Sequence, residues 1–453
     1  MTKQGSAAPA YLIMACLVAA LGGMLFGYDT GVINGSLQFV EARFDLSPDM
    51  KGFAASSALL ACIPGAILAG VFGDWLGRRR TLMLSGFLFL ISAIGTALPN
   101  DISTFILFRI IGGIGVGAAS MTSPMYIAEI SPAHLRGRLV SLNQFAIISG
   151  MLVVYFVNYF IADPGNMAWN VATGWRWMFG SEALPAAALL ILTFFIPETP
   201  RWLCMKGRPA DAEKILARIE GSEHAAHEMA AIQASLREAK PGFAQLFTPA
   251  HLKVLGLGLA LAFLQQATGI NVFLYFGSEI FGSLGGEQID IALLQQVIVG
   301  AANLIFTVIA IWTVDIVGRK PLLMIGATGM GISLMVMGFA GAQEATGSWL
   351  LIWVILYIAS FAMSMGPVVW VLLSEIFPNR IRSLAMATCT VFLWLTNSFV
   401  SQTFVMMDRN EYLVEKFNHG FPFFIYGSLC FVTILFVCCL LPETKGRSLE
   451  ENT

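Results

Sequence analysis

Three ionisable side chains stand inside long apolar runs, where an unpaired charge has no water to face: Asp29, Arg109 and Glu182. A charge at membrane depth costs about 3 kcal/mol on insertion scales, so each of the three requires a partner and a reason. Two carboxyl groups and one guanidinium suit reversible proton binding. Asp29 can pair with Arg109, or hold a proton while Glu182 keeps Arg109. The structural alternative is a static salt bridge fixing three helices. The second half of the chain offers no matching trio, which counts against a purely symmetric structural role. No nucleophile, metal cluster or phosphate loop accompanies these residues, and His134, His224, His227, His251 and His419 have no metal partner at usable spacing. An enzyme, a cofactor and a metal site are therefore not expected.

A second set consists of amides and aromatics in otherwise apolar sequence. Gln265, Gln266, Gly269, Asn271 and Tyr275 share one segment, and Gln144, Asn303, Trp370 after Gly366-Pro367, and Trp394 with Asn397 lie in others. A sugar hydroxyl both donates and accepts, which a carboxamide can answer on both counts, while an aromatic face covers the C–H side of the ring. On a straight helix Gln266 and Asn271 would point about 140° apart, at ~100° per residue. Gly269 can break the helix and bring both to one cavity. Any one of these amides could equally be interhelical packing glue.

The elements that must hold these residues are membrane spans. Hydrophobic residues make up 57% of the 453 and charged ones 12%, too few to cover a water-soluble surface. The apolar blocks approach the ~20 residues that cross a ~30 Å hydrocarbon core. They predict twelve spans at 11–33, 52–73, 81–98, 102–127, 139–160, 178–197, 252–281, 289–314, 322–341, 349–374, 384–406 and 420–441. The first run contains Asp29 and lacks an A-x-A cleavage site, so it reads as a retained span. The seven Cys fall mostly in apolar blocks without CxxC spacing and read as small buried hydrophobes. Residues 198–250 differ in kind: they are rich in charge, with Ile215, Ile219 and Ile232 spaced for short amphipathic helices.

That insertion separates two copies. Asp74-x-x-Gly77-Arg78 recurs 241 positions later as Asp315-x-x-Gly318-Arg319. Glu129, Pro132 and Arg136 recur 246 later as Glu375, Pro378 and Arg382, and Pro197-Glu198-Thr199 recurs 245 later as Pro442-Glu443-Thr444. Parallel repeats of six spans predict two pseudo-symmetric six-helix bundles, 1–197 and 251–453, joined by a helical linker at 198–250. With the N-terminus inside, 20 of the 26 Lys and Arg fall on the cytoplasmic side, so both termini are expected there. The outer loops keep Arg43, Lys51, Arg176, Arg409 and Lys416. Net charge is -2, and nothing suggests a nucleic-acid partner.

The repeated charges lie at helix ends. Asp74 can meet backbone N–H groups at a helix start, and Arg78 and Arg79 can reach carbonyl ends or carboxylates such as Glu129 and Glu198. Together with Arg136, and with Asp315, Arg319, Glu375, Arg382 and Glu443 in the second copy, they read as a latch closing the cytoplasmic side. Plain topology-setting basic loops would explain the Arg residues but not their repeated company with Asp and Gly.

Over essentially the entire chain, these motifs resemble the sugar-porter branch of the major facilitator superfamily. The matching set is Leu25-Phe26-Gly27-Tyr28-Asp29, Gly73-Asp74-x-x-Gly77-Arg78-Arg79-Arg80, Arg109-Ile110-Ile111-Gly112-Gly113, Pro197-Glu198-Thr199-Pro200-Arg201-Trp202, Gln265-Gln266-x-x-Gly269-Ile270-Asn271 and Pro442-Glu443-Thr444-Lys445-Gly446. The resemblance implies an all-α integral membrane protein of the major facilitator fold that carries a monosaccharide by alternating access and works as a monomer in the lipid bilayer of a plasma membrane, bacterial inner membrane included. It implies sugar contacts for Gln144, Gln265, Gln266, Asn271, Tyr275, Trp370 and Trp394, with Asn303, Asn397 and Phe26 placed beside them, and proton coupling for Asp29, Arg109 and Glu182. Mammalian facilitative carriers that resemble this chain have an uncharged residue at Asp29, so the expectation is symport of D-xylose, or of a related aldose such as D-glucose, with protons. Leu393 departs from the xylose-carrying members, which have glutamine there. The alternatives are facilitated diffusion without a proton and a non-transporting sensor. A sensor usually carries a long cytoplasmic tail, and here the sequence stops at Thr453.

Overall fold

The computed structural model describes residues 9–132, 135–237, 243–285, 289–345, 347, 349–378 and 381–441, and every regular element among them is helical. No water satisfies N–H and C=O groups in hydrocarbon, so a chain this apolar crosses as helices, whose backbone bonds are internal. Leaving aside six short helical turns, in chain order the helices are α1 (Pro9–Phe44), α2 (Pro48–Trp75), α3 (Arg78–Ala97), α4 (Ile102–Ile130), α5 (Arg136–Ile161), α6 (Trp175–Gly180), α7 (Ala183–Leu192), α8 (Pro209–Glu220) and α9 (Ser222–Arg237). There follow α10 (Pro249–Ala267), α11 (Ile270–Gly285), α12 (Ile289–Val317), α13 (Arg319–Ala342), α14 (Leu350–Met363), α15 (Met365–Ile376), α16 (Arg382–Asp408) and α17 (Phe421–Leu440). Eleven helical segments among the described residues are long and apolar enough to cross a membrane. The twelfth expected span, 178–197, is interrupted at Ser181-Glu182, which leaves α6 and α7 short.

Contacts gather the chain into two compact units. One comprises Met1–Asp29, Ala61–Met151 and Phe179–Lys240; the other comprises Thr30–Leu60, Leu152–Met178 and Pro241–Thr453. The division passes through α1, α2 and α5.

In the first unit small residues allow helices to touch backbone to backbone. A Cβ at Gly27 would lie 1.8 Å from the Ile147 carbonyl oxygen, and one at Gly150 2.1 Å from that of Met24, so α1 and α5 are in direct contact. Gly27→Ala forces a backbone shift and is expected to cost on the order of 1–3 kcal/mol, read as a lower melting temperature in detergent. An unchanged melting temperature would mean that α1 and α5 separate freely. The expected amphipathic helices of the insertion are α8 and α9. Ile215 and Ile219 of α8 pack on a core of Leu12, Cys16, Tyr126 and Ile130, and the Arg218 guanidinium lies 3.8 Å from the Tyr11 ring centroid.

In the second unit the remaining lengths of α1, α2 and α5 pack with the helices that follow the insertion. Asn34 Nδ2 donates to the Leu274 carbonyl at 2.9 Å and to Gln296 Oε1 at 3.1 Å, and Ser56 Oγ donates to Gln402 Oε1 at 3.2 Å. Lys51, expected in a loop, is buried and paired with Glu41, which Arg409 approaches at 3.5 Å.

Candidate functional site

The intramembrane trio lies within the first unit. Arg109 Nη1 donates to Asp29 Oδ1 at 2.7 Å, and each residue is 2% exposed. α4 can bring Arg109 this close because of Gly112, where a Cβ would lie 2.4 Å from Ser92 Oγ and 3.5 Å from Asp29 Oδ1. The guanidinium also sits over Phe179 at 5.7 Å, and Phe105 meets that ring edge-on at 5.2 Å. Glu182, 1% exposed, lies at the interruption between α6 and α7 and within electrostatic reach of both Asp29 and Arg109, and its Oε1 makes no hydrogen bond. The interruption is held to α1 by Tyr28 Oη and Ser181 Oγ, 2.7 Å apart.

The charged cluster around the α2–α3 turn is also in this unit. Arg78 donates through Nε and Nη2 to Glu129 Oε1 at 3.2 and 3.0 Å, and through Nη1 to the Gly73 carbonyl at 2.6 Å and Asp74 Oδ1 at 3.2 Å. The N–H groups that open α3 are met by Glu198, not by Asp74: Glu198 Oε1 accepts from the backbone of Arg78 at 3.0 Å and Arg79 at 3.2 Å. A carboxylate there opposes the positive end of the helix. Burial pushes the Glu198 carboxyl above its ordinary range, against these N–H bonds. Gly77 turns the chain with φ 102°, where a Cβ would fall 2.2 Å from Glu198 Oε2. Arg79 Nε reaches the Thr193 carbonyl at 2.9 Å, and Arg136 the Ala128 carbonyl at 3.0 Å and Glu228 at 3.5 Å.

The second unit repeats the central pair, with Arg319 Nη2 2.9 Å from Glu375 Oε1 and Gly318 at φ 101°. Arg382 turns instead onto the Phe377 carbonyl at 3.1 and 3.2 Å. Glu443 and the side chain of Asp315 lie outside the described residues.

The amides and aromatics gather mainly in the second unit. The helix breaks at Thr268-Gly269, with Gly269 at φ 88°, and Asn271 Nδ2 donates to Gln266 Oε1 across the break. A straight helix would hold these two residues apart. Asn397 Nδ2 donates to Tyr275 Oη at 3.2 Å and Ser401 Oγ to Asn397 Oδ1 at 3.3 Å, so α16 joins α11. Gln265 Nε2 donates to the Met365 carbonyl at 2.9 Å, and its Oε1 is buried without a bond. Leu393 and Trp394 are buried on α16, Asn303 is buried on α12, and Trp370 on α15 is 36% exposed. Gln144 on α5 and Phe26 on α1 are half-buried in the first unit. Tyr357, not singled out from the sequence, donates its hydroxyl to the Thr268 carbonyl at 2.9 Å. A lone phenol in an apolar run was its only signal.

Comparison with known proteins matches this chain over nearly its whole length. The family model described as "Sugar (and other) transporter" covers residues 15–453. The D-xylose-proton symporter of Escherichia coli is 46% identical over 97% of this chain and 95% of its own, and the arabinose-proton symporter of Bacillus subtilis is 40% identical over 97% and 94%. The inward-open structure of the E. coli xylose transporter XylE superposes with a TM-score of 0.87 at 44% identity, covering 98% of this chain and 99% of that one. A helical fold, the repeated Arg–Glu pair and a match of this extent establish that the chain belongs to the sugar (and other) transporter family.

Proposed function

We propose that this protein is a proton-coupled monosaccharide symporter for D-xylose or a related aldose such as D-glucose, carrying its substrate unaltered by alternating access. The observation that carries the reading is the Arg109–Asp29 pair buried beside Glu182. The trio has one guanidinium for two carboxyl groups, so its charges balance only when one carboxyl holds a proton, and moving that proton changes which carboxyl Arg109 serves. The named activities of the E. coli and B. subtilis relatives support the pairing of sugar with proton. The rocking bodies are 1–197 and 251–453, linked by 198–250, in a monomer with both termini in the cytoplasm and the Arg78–Glu129 and Arg319–Glu375 clusters as the cytoplasmic latch. Sugar binds to Gln265, Gln266, Asn271, Tyr275, Trp370, Trp394, Asn303 and Asn397, with Gln144 and Phe26 from the first body.

The test is uptake of D-xylose, L-arabinose and D-glucose by proteoliposomes with and without an imposed pH gradient. Acid-driven accumulation of at least one sugar is expected. Equal, gradient-independent equilibration of every sugar would identify a facilitative carrier. Leu393, buried beside Trp394, offers no hydrogen bond to a hydroxyl. Leu393→Gln is accordingly expected to shift the uptake ranking toward xylose, and an unchanged ranking would place selectivity elsewhere.

A further inference from the structure

The second unit contains two helix interruptions that side chains tie together. Thr268 caps α10 and Gly269 takes φ 88° before α11 begins; Ser364, at φ −130° and ψ −87°, separates α14 from α15. An interruption leaves carbonyls without the N–H groups a continued helix would supply, and at membrane depth other groups must meet them. The Thr268 carbonyl is met by Tyr357 of α14, whose buried hydroxyl donates at 2.9 Å. The Tyr357 ring packs on Phe273 of α11, centroids 4.7 Å apart, and Phe273 packs on Phe423 at 5.8 Å. Tyr426 closes on Gly269, where a Cβ would lie 2.8 Å from its Cδ2. From the turn before the first interruption, Gln265 Nε2 reaches the carbonyls of Met365 and Gly366, just past the second, at 2.9 and 3.4 Å.

We propose that Tyr357 is a positioning residue for the sugar site: its bond to the Thr268 carbonyl fixes the Gly269 turn and so sets the angle at which α11 presents Asn271 and Tyr275. The inference deepens the proposed function and rests on the amide cluster being where sugar binds. A glycine at positive φ is a pivot with little resistance of its own. Tyr275 lies about 7.5 Å along α11 from its first residue at 1.5 Å per residue, so a swing of roughly 10° at the pivot displaces it by about 1 Å. A shift of that size lengthens a 3.2 Å bond such as Asn397–Tyr275 past hydrogen-bonding distance.

Tyr357→Phe removes the hydroxyl and keeps the ring on Phe273. Binding of D-xylose and D-glucose to the purified wild type and variant would be followed by tryptophan fluorescence and calorimetry, beside thermal melting. The expected result is a Kd raised about tenfold with a melting temperature close to wild type. In a cycle with Asn271→Ala, the effect of Tyr357→Phe should shrink, because the group it positions is already gone. An unchanged Kd, full additivity with Asn271→Ala, or a variant too unstable to purify would make the hydroxyl a structural support and overturn the proposal. A wild type that binds none of D-xylose, L-arabinose and D-glucose would instead overturn the sugar-site reading on which it rests.

Discussion

Asp29→Asn is expected to abolish acid-driven sugar accumulation while sugar binding and sugar-for-sugar exchange survive. The substitution keeps nearly the same volume and an oxygen that can accept from Arg109, but removes the group that takes up and releases the proton. Arg109 is not left without a carboxyl neighbour, since Glu182 lies within electrostatic reach and can take over as its partner. Exchange returns the carrier with sugar bound and needs no net proton movement; accumulation needs the two flows linked, and without the linking site the coupling free energy vanishes. The opposing account, a static pair that packs α1 against α4, predicts something different. Removing one partner of a fully buried ion pair costs about 3–5 kcal/mol, so the variant would misfold or melt far below wild type. Proteoliposome exchange, counterflow and pH-driven uptake, run with a melting curve on the same preparation, separate the two. Accumulation at wild-type levels in Asp29→Asn would remove Asp29 from the coupling machinery.

Gln266→Ala and Asn271→Ala are each expected to weaken sugar binding by about 1–3 kcal/mol, tenfold to a hundredfold in Kd, because a buried hydroxyl of the sugar loses its partner. The two side chains bond to each other across the Gly269 break, so removing either also frees its neighbour to reorient. The double variant should therefore fall short of the sum of the singles. Coupling should be untouched: whatever uptake persists must still respond to the pH gradient, because neither residue belongs to the trio. Calorimetric titration with D-xylose and D-glucose gives the affinities. Wild-type affinity in both single variants would remove this break from the sugar site.

Much of this arrangement was legible in the sequence, and the parts that were not share a cause. Asp29 and Arg109 could be paired from sequence because a buried charge in an apolar run has few ways to be satisfied. The break at Gly269 was legible because Gln266 and Asn271 make joint sense only if the helix turns between them. The Arg78–Glu129 pair and its repeat Arg319–Glu375 followed from spacing recurring in two copies. Lys51 was not legible: a lysine at the start of a span reads as a loop residue, and only tertiary packing shows it buried on Glu41. The choice of Glu198 over Asp74 for the α3 N–H groups is of the same kind, since Asp74 is near in sequence while Glu198 arrives from the connection that follows α7. The interruption at Ser181-Glu182 is flanked by Gly180 and Pro185, but in a run this apolar neither residue alone sets a break apart from a continuous span. Tyr357 was hidden because a phenol satisfied by a backbone carbonyl looks, in sequence, like any aromatic in a span.

The central claim is that one proton path and one sugar path run through the same molecule. It is tested most directly by adding sugar to weakly buffered proteoliposomes containing the wild-type protein and recording the external pH. Coupled entry predicts that the medium turns alkaline when D-xylose, or whichever of the three sugars is carried, is added, and that the signal disappears in Asp29→Asn. Sugar entry at full rate with no change in external pH would contradict the account.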